Sequence, residues 1–130
     1  MSNTPNINSE QGQTMAEFTV VLPILITLLF GIIQFGILYN NYVTLTDAAR
    51  AGARTAVVSR GDSDPAATCA NKVRSAADNL TQTNLTVTCT STWQPGDDVQ
   101  VEADYPYDLN LFGVVVKSGT LKTLMTERVE

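Results

Sequence analysis

The chain has 130 residues, enough for one small folded domain and a membrane segment but too few for two domains with separate cores. Its formal net charge is −5 and it has no basic cluster, which argues against nucleic acid as a partner. It has no histidine and two cysteines, so the commonest catalytic base is missing and a structural zinc site of four Cys or His ligands cannot form; we expect no enzymatic activity and no cofactor.

A long apolar run begins directly after Glu17. No charged side chain occurs from Phe18 to Thr46, and the most apolar part, residues 18–39, corresponds to roughly 33 Å of helix. This length crosses a hydrocarbon core of about 30 Å, so we predict a transmembrane helix. The alternatives are a buried helix of a soluble protein and a cleaved secretory signal, whose apolar region is usually about 7–15 residues after a basic start.

The predicted helix continues beyond the membrane to about residue 60. Pro23 lies inside the apolar run and should kink the helix, because proline removes one backbone hydrogen bond. After Tyr39 the apolar residues recur at steps of three and four. The segment 47–60 is rich in Ala and Gly, which either permits close approach of a helix or sheet or simply favours a helix packed on its own domain.

Residues 61–130 are predicted to form a small head. Asp64 suits a helix N-cap and Pro65 the first helical position. Apolar residues then alternate with polar ones over three segments, which predicts strands at 85–91, 99–105 and 120–129. The segment Tyr105-Pro106-Tyr107 and the apolar run 109–116 have no clear assignment. The fold class is therefore α+β, with a small antiparallel sheet against one or two helices.

The two cysteines are expected to pair. Cys69 lies on the apolar face of the predicted second helix and Cys89 on the inward face of the first strand, so both point toward one core. A loop of about 20 residues would contribute roughly 3 kcal/mol in the chain-entropy model. Two buried free thiols are the alternative, but a preceding membrane segment implies export, which favours the disulfide.

Several short pieces in a fixed order resemble a known family. They are Glu17-Phe18 at five residues from Gly12, Val21-Leu22-Pro23, Leu29-Phe30-Gly31-Ile32-Ile33, Phe35-Gly36, and Ala48 to Arg54. This series, over about residues 12–57, resembles the TadE-like family of pilus-assembly proteins in the Tad/Flp branch of type IV pilins. The resemblance implies a pilin-like fold, in which a long N-terminal helix continues from the membrane into a small head.

The resemblance also implies how the chain is processed and used. Residues 1–12 would be a cytoplasmic leader, cut after Gly12 by a membrane prepilin peptidase, so that Gln13 becomes the N-terminus. Glu17, followed by Phe18, would offset the positive N-terminus of a neighbouring subunit and set the register between subunits. A separate head implies a minor pilin (pseudopilin) that acts in assembly, priming or tip formation, and hence in adhesion.

The implied partners are other major and minor pilins, the prepilin peptidase, the inner-membrane assembly platform with its ATPase, and membrane lipid. The implied location is the bacterial cytoplasmic (inner) membrane, crossed once, with the N-terminus in the cytoplasm and the head outside, or extracellular in the pilus. Residues 1–16 carry no Lys or Arg, although prepilin leaders usually do. The positive-inside rule applied to Arg50, Arg54 and Arg60 favours the reverse orientation, but these arginines start about ten residues beyond the membrane segment and Asp47 precedes them.

Two other classes of protein remain open at this point. A permanently anchored extracytoplasmic accessory or binding protein would keep its N-terminus and would not need Glu17. A small anchored enzyme would need Asp97, Asp98, Glu102 and Asp104 to converge, yet the pattern places the last two on the outward face of a strand.

Overall fold

The computed structural model describes residues 7–130 and has the predicted α+β class. Residues 1–6 of the predicted leader lie outside the described residues. The elements, in chain order, are α1 (Ile7–Val58), α2 (Pro65–Ala76), β1 (Thr86–Thr90), β2 (Asp98–Leu111) and β3 (Val114–Arg128).

Helix α1 has 52 residues, or roughly 78 Å at 1.5 Å per residue, and only its C-terminal part is buried. The fully buried side chains of that part are Leu45, Ala48, Ala49, Ala53 and Ala56. The helix ends where the sequence predicts a break, just before Gly61. There the Ser59 hydroxyl donates a hydrogen bond to the Ala56 carbonyl at 3.2 Å, which satisfies one of the terminal acceptors.

The small residues of α1 let α2 pack closely against it. A Cβ atom added at Gly52 would collide with Cγ2 of Val73 and would lie 3.4 Å from the Cys69 carbonyl oxygen. Both neighbours belong to α2, whose start is capped as predicted. The Ala67 N–H donates to Asp64 Oδ1 at 3.0 Å, and Pro65 is the first helical residue. The Ala- and Gly-rich segment therefore serves close packing inside the head.

The sheet is antiparallel with strand order β1-β2-β3, and its inner face covers the two helices. Val99, Val101 and Ala103 of β2 are fully buried, whereas the residues between them are exposed. Cys89 of β1 lies opposite Val101, and Met125 of β3 lies opposite Val101 on the other side. The period-two alternation predicted for all three strands is confirmed.

The β2–β3 hairpin is longer than the sequence predicts. The unassigned run 109–116 forms its distal end, with a two-residue turn at Phe112-Gly113 where φ is +50° and +84°. Two successive positive φ angles match the twist of a tight hairpin, and glycine adopts them without strain. Pro106 lies within β2, just beyond Asp104, the last residue paired with β1. Proline is tolerated there because β2 has become an edge strand.

Candidate functional site

The residues predicted for processing and register lie on the first turns of α1. Gly12, Gln13, Glu17 and Phe18 belong to one continuous helix and are all exposed. The Gln13 side-chain amide donates a hydrogen bond to Glu17 Oε1 at 3.2 Å, one helical turn further along. The Glu17 carboxylate therefore reaches back to the level of residue 13, where the predicted cleavage would create a positive charge.

Packing within the chain does not require a glycine at position 12. Apart from its two chain neighbours and the backbone of its own helix, a Cβ atom added at Gly12 would have no described atom within 4 Å. Its φ is not positive either, and helix propensity alone would favour alanine by about 0.8–1.0 kcal/mol. The glycine is thus unexplained by the fold of this subunit, in contrast to Gly52, where α2 leaves no room for a side chain.

The N-terminal part of α1 presents an apolar surface that the described part of the chain leaves uncovered. Its large exposed side chains include Phe18, Ile24, Leu28, Ile32 and Phe35, each more than half accessible. Between residues 7 and 130, α1 is the one helix long and apolar enough to cross a membrane, and its most apolar stretch is not buried at all. Such a surface needs lipid or neighbouring helices, which indicates a membrane anchor.

Helix α1 remains a single helix across Pro23. The Thr27 hydroxyl donates to the Pro23 carbonyl at 2.8 Å, and the Thr19 hydroxyl donates to the Met15 carbonyl at 2.8 Å. In a membrane, such side-chain bonds satisfy the two hydroxyls locally, where no water is at hand. The kink at Pro23 stays a prediction.

The predicted disulfide is present. Cys69 of α2 and Cys89 of β1 are bonded, with their Cα atoms 6.4 Å apart. The bond closes 20 residues of chain and joins the helical layer to the edge strand of the sheet. Because β1 has only five residues, this covalent link holds the shortest element of the head in place.

The acidic residues of the head do not converge on one site. Asp104 pairs with Lys122 at 3.3 Å, Asp98 pairs with Arg128 at 3.7 Å, and Asp97 accepts a hydrogen bond from Thr92. Glu102 is exposed on the outer face of β2. No group of three or more potential metal ligands occurs within the described residues. The arrangement gives no positive indication of catalysis.

Sequence reasoning missed one surface, the distal end of the β2–β3 hairpin. We call residues 109–116 the hairpin tip; they carry no charge, and Phe112 packs against Phe30 of α1 with ring centroids 5.1 Å apart. The available signal was a glycine between two apolar runs, but Phe112-Gly113 lacks the Asn or Asp that usually marks a two-residue turn. The tip thus lies beside the segment of α1 predicted to cross the membrane.

Comparison with known proteins relates the N-terminal part of the chain to a family. A sequence model of the family described as TadE-like protein matches residues 12–54, about a third of the chain. No curated protein and no solved structure matches the chain. The matched segment contains Gly12, Glu17, the apolar run and Gly52, but not the sheet or the disulfide. Residues 12–54 of this chain are therefore TadE-like, as the sequence predicts, and the match supports a pilin-like protein associated with Tad pili.

Proposed function

We propose that this protein is a minor pilin of a Tad/Flp pilus, processed after Gly12 and assembled through the apolar surface of α1. The observation that carries the proposal is the uncovered apolar helix with Glu17 at its start, placed one turn after Gln13. Its head would stay outside the cytoplasm, held by the membrane segment until extraction into the filament. The other pilins, the prepilin peptidase and the assembly platform with its ATPase are the proposed partners.

The geometry at Gln13 supports the proposed role of Glu17. Cleavage after Gly12 would leave a positive α-amino group at residue 13, and the Glu17 carboxylate already contacts the side chain of that residue. In a bundle of such helices, the carboxylate of one subunit could face the N-terminus of the next. Opposite charges attract strongly in a low dielectric, and removing one partner of a buried pair costs about 3–5 kcal/mol. The pair would therefore select one register between neighbouring helices.

The head supports a minor rather than a major subunit. It adds a disulfide-linked sheet and a second helix to the long helix, whereas major subunits of this branch consist of little more than the helix. A filament made only of such chains would have to accommodate every head around its core. A tip or priming position requires only a few copies, which fits a role in assembly and surface attachment.

The test is a pair of charge-removing variants at two acidic residues of α1. Glu17→Gln should leave membrane insertion and the disulfide intact but deplete the protein from sheared filaments by at least about tenfold, equivalent to about 1.4 kcal/mol. Glu10→Gln is the matched control, because processing after Gly12 would remove residue 10 and leave an unchanged mature chain.

Equal incorporation of Glu17→Gln and wild-type protein would contradict the register role. If neither protein entered filaments and both kept residues 1–12, the chain would be a permanently anchored accessory protein. Glu17 is exposed in the single subunit, so replacing its carboxylate removes only the contact with Gln13, worth about 0.2–0.5 kcal/mol. Unfolding of the variant would therefore not explain a large depletion from filaments.

A further inference from the structure

The hairpin tip is an exposed apolar surface at the end of the sheet nearest the membrane segment. Four of its side chains are more than half exposed: Phe112, Val114, Val115 and Val116. Soluble surfaces rarely cluster large apolar residues in this way, so the cluster marks a contact with another apolar phase. Phe112 in addition contacts Phe30, which belongs to the apolar run of α1.

The hairpin and α1 change from apolar to polar at the same height. From Phe112 back to Asp108 the hairpin rises about 14 Å at 3.4 Å per residue, and from Phe30 to Tyr39 the helix rises about 14 Å at 1.5 Å per residue. Asp108 borders a crevice that Leu38 and Asn41 also line, which confirms that the two levels coincide. From this level down to the turn, both elements are apolar apart from Gln34, Asn110 and Lys117, and Lys117 pairs with Leu109 at the upper edge of this region.

Between the tip and α1 lies a second crevice of about 310 Å³, and its walls are almost entirely apolar. On α1 it is lined by Thr27, Gly31 and Phe35, and on the hairpin by Leu111 and Val116. Gln34 of α1 and Asn110 of the hairpin contribute polar side chains to the lining. A crevice with this lining suits acyl chains and glycerol groups better than it suits water.

The backbone limits how deep the tip can go. A hairpin has two open edges, and unpaired N–H and C=O groups are not tolerated against lipid in the hydrocarbon core. Close to the boundary between headgroups and acyl chains these groups still find water and headgroup partners, and apolar elements insert about 5–10 Å into this boundary. If Gln34 marks the upper edge of the hydrocarbon, Phe30 and its neighbour Phe112 lie about 6 Å below that edge. The depth agrees with interfacial insertion.

We infer that the hairpin tip inserts into the outer-leaflet interface beside its own helix and fixes the depth of that helix in the bilayer. The hydrocarbon core of about 30 Å is then crossed by roughly residues 14–33 instead of 18–39. Glu17 enters the inner leaflet, about 5 Å from its polar boundary, and Ile24 lies at the midplane. The inference rests on α1 crossing a membrane and does not depend on cleavage after Gly12.

The test measures the depth of tryptophan side chains in phosphatidylcholine vesicles. The lipid acyl chains carry bromine atoms, which quench tryptophan fluorescence, either near the headgroups (shallow) or near the bilayer midplane (deep). The full chain carries Trp93→Phe, and single reporters are introduced by Phe112→Trp, Ile24→Trp or Leu124→Trp. Phe112→Trp should lose more emission to shallow than to deep bromines, as expected for an insertion depth of about 5–10 Å. Ile24→Trp should show the opposite order. Leu124→Trp, exposed on the same strand pair above the tip, should show no quenching.

Each other outcome overturns the inference. Emission of Phe112→Trp that is insensitive to both lipids would place the tip in water, or against a second protein if the emission were blue-shifted. Stronger quenching by deep bromines would place the tip in the core and remove its role as a depth stop. An unquenched Ile24→Trp would overturn the membrane anchor as well. Val114→Trp, two residues further along the tip, repeats the measurement if Phe112→Trp does not fold.

Discussion

Substitution of Gly52 by alanine tests whether the TadE-like segment is shaped for the head that follows it. Gly52 lies in α1 and faces Val73 and Cys69 of α2. On helix propensity alone, Gly52→Ala would stabilise the protein by about 0.8–1.0 kcal/mol. In the structure, however, the new Cβ collides with Val73 Cγ2, and overpacking a close-packed core usually costs about 1–3 kcal/mol. The overpacking cost exceeds the propensity gain, and we expect a net loss of up to about 2 kcal/mol.

The loss is measured by thermal unfolding of the full chain in detergent micelles, followed by the fluorescence of Trp93, which packs against the core. For a head of this size, 1 kcal/mol shifts Tm by about 4–8 °C, so Gly52→Ala should lower Tm by up to about 15 °C. Gly36→Ala is the matched control, because an added Cβ there meets no described atom within 4 Å beyond its chain neighbours and its own helix backbone.

A second substitution at the contact distinguishes the collision from a general effect on α1. Val73→Ala removes the colliding methyl group, and alone it should destabilise the head by leaving a cavity. Combined with Gly52→Ala, it should cost less than the sum of the two single changes, since one small side chain replaces the other. A rise in Tm for Gly52→Ala, or strict additivity of the two changes, would refute the close-packing argument.

Two further predictions concern the head. Replacing Cys69 and Cys89 by alanine, or reducing the disulfide, should lower the free energy of unfolding by about 3 kcal/mol, given a closed loop of 20 residues; equal urea midpoints with and without reductant would contradict this. Asp64→Ala should cost about 1 kcal/mol because the Ala67 N–H loses its acceptor. Asp64→Asn should retain most of that stability, and an equal loss in both variants would exclude capping as the cause.

Much of the fold follows from local patterns. The length of the apolar run predicts the membrane helix, and the alternation around Val101 predicts which face of β2 is buried. Asp64-Pro65 predicts the start of α2, and the two cysteines predict the disulfide. Each of these signals depends on residues close in sequence or on a single chemical possibility, which is why sequence reasoning reaches them.

The length of the β2–β3 hairpin depends on contacts that are distant in sequence. Pro106 ordinarily interrupts a strand, and it is accommodated only because β1 stops pairing at Asp104. Residues 109–116 are apolar without a strict period, since one side faces α1 and the other is exposed. Their position beside Phe30 follows from the register of the whole sheet on α1, which no local pattern specifies.

The position of Glu17 relative to Gly12 is visible in the sequence, but the role proposed for it involves molecules outside the single subunit. In the monomer, Glu17 contacts Gln13, and a Cβ atom added at Gly12 would meet no described atom within 4 Å beyond its own helix. A residue whose role is to face a peptidase or a neighbouring subunit has no reason to be buried here. The isolated chain therefore supplies the geometry of the site and leaves its partners to experiment.

The most direct test of the account is the N-terminal sequence and intact mass of the protein purified from its native membrane. Prepilin processing predicts a chain that begins at Gln13, with or without an added methyl group, and retains the Cys69–Cys89 disulfide. A chain that begins at Met1 or Ser2 would contradict processing and leave a permanently anchored accessory protein.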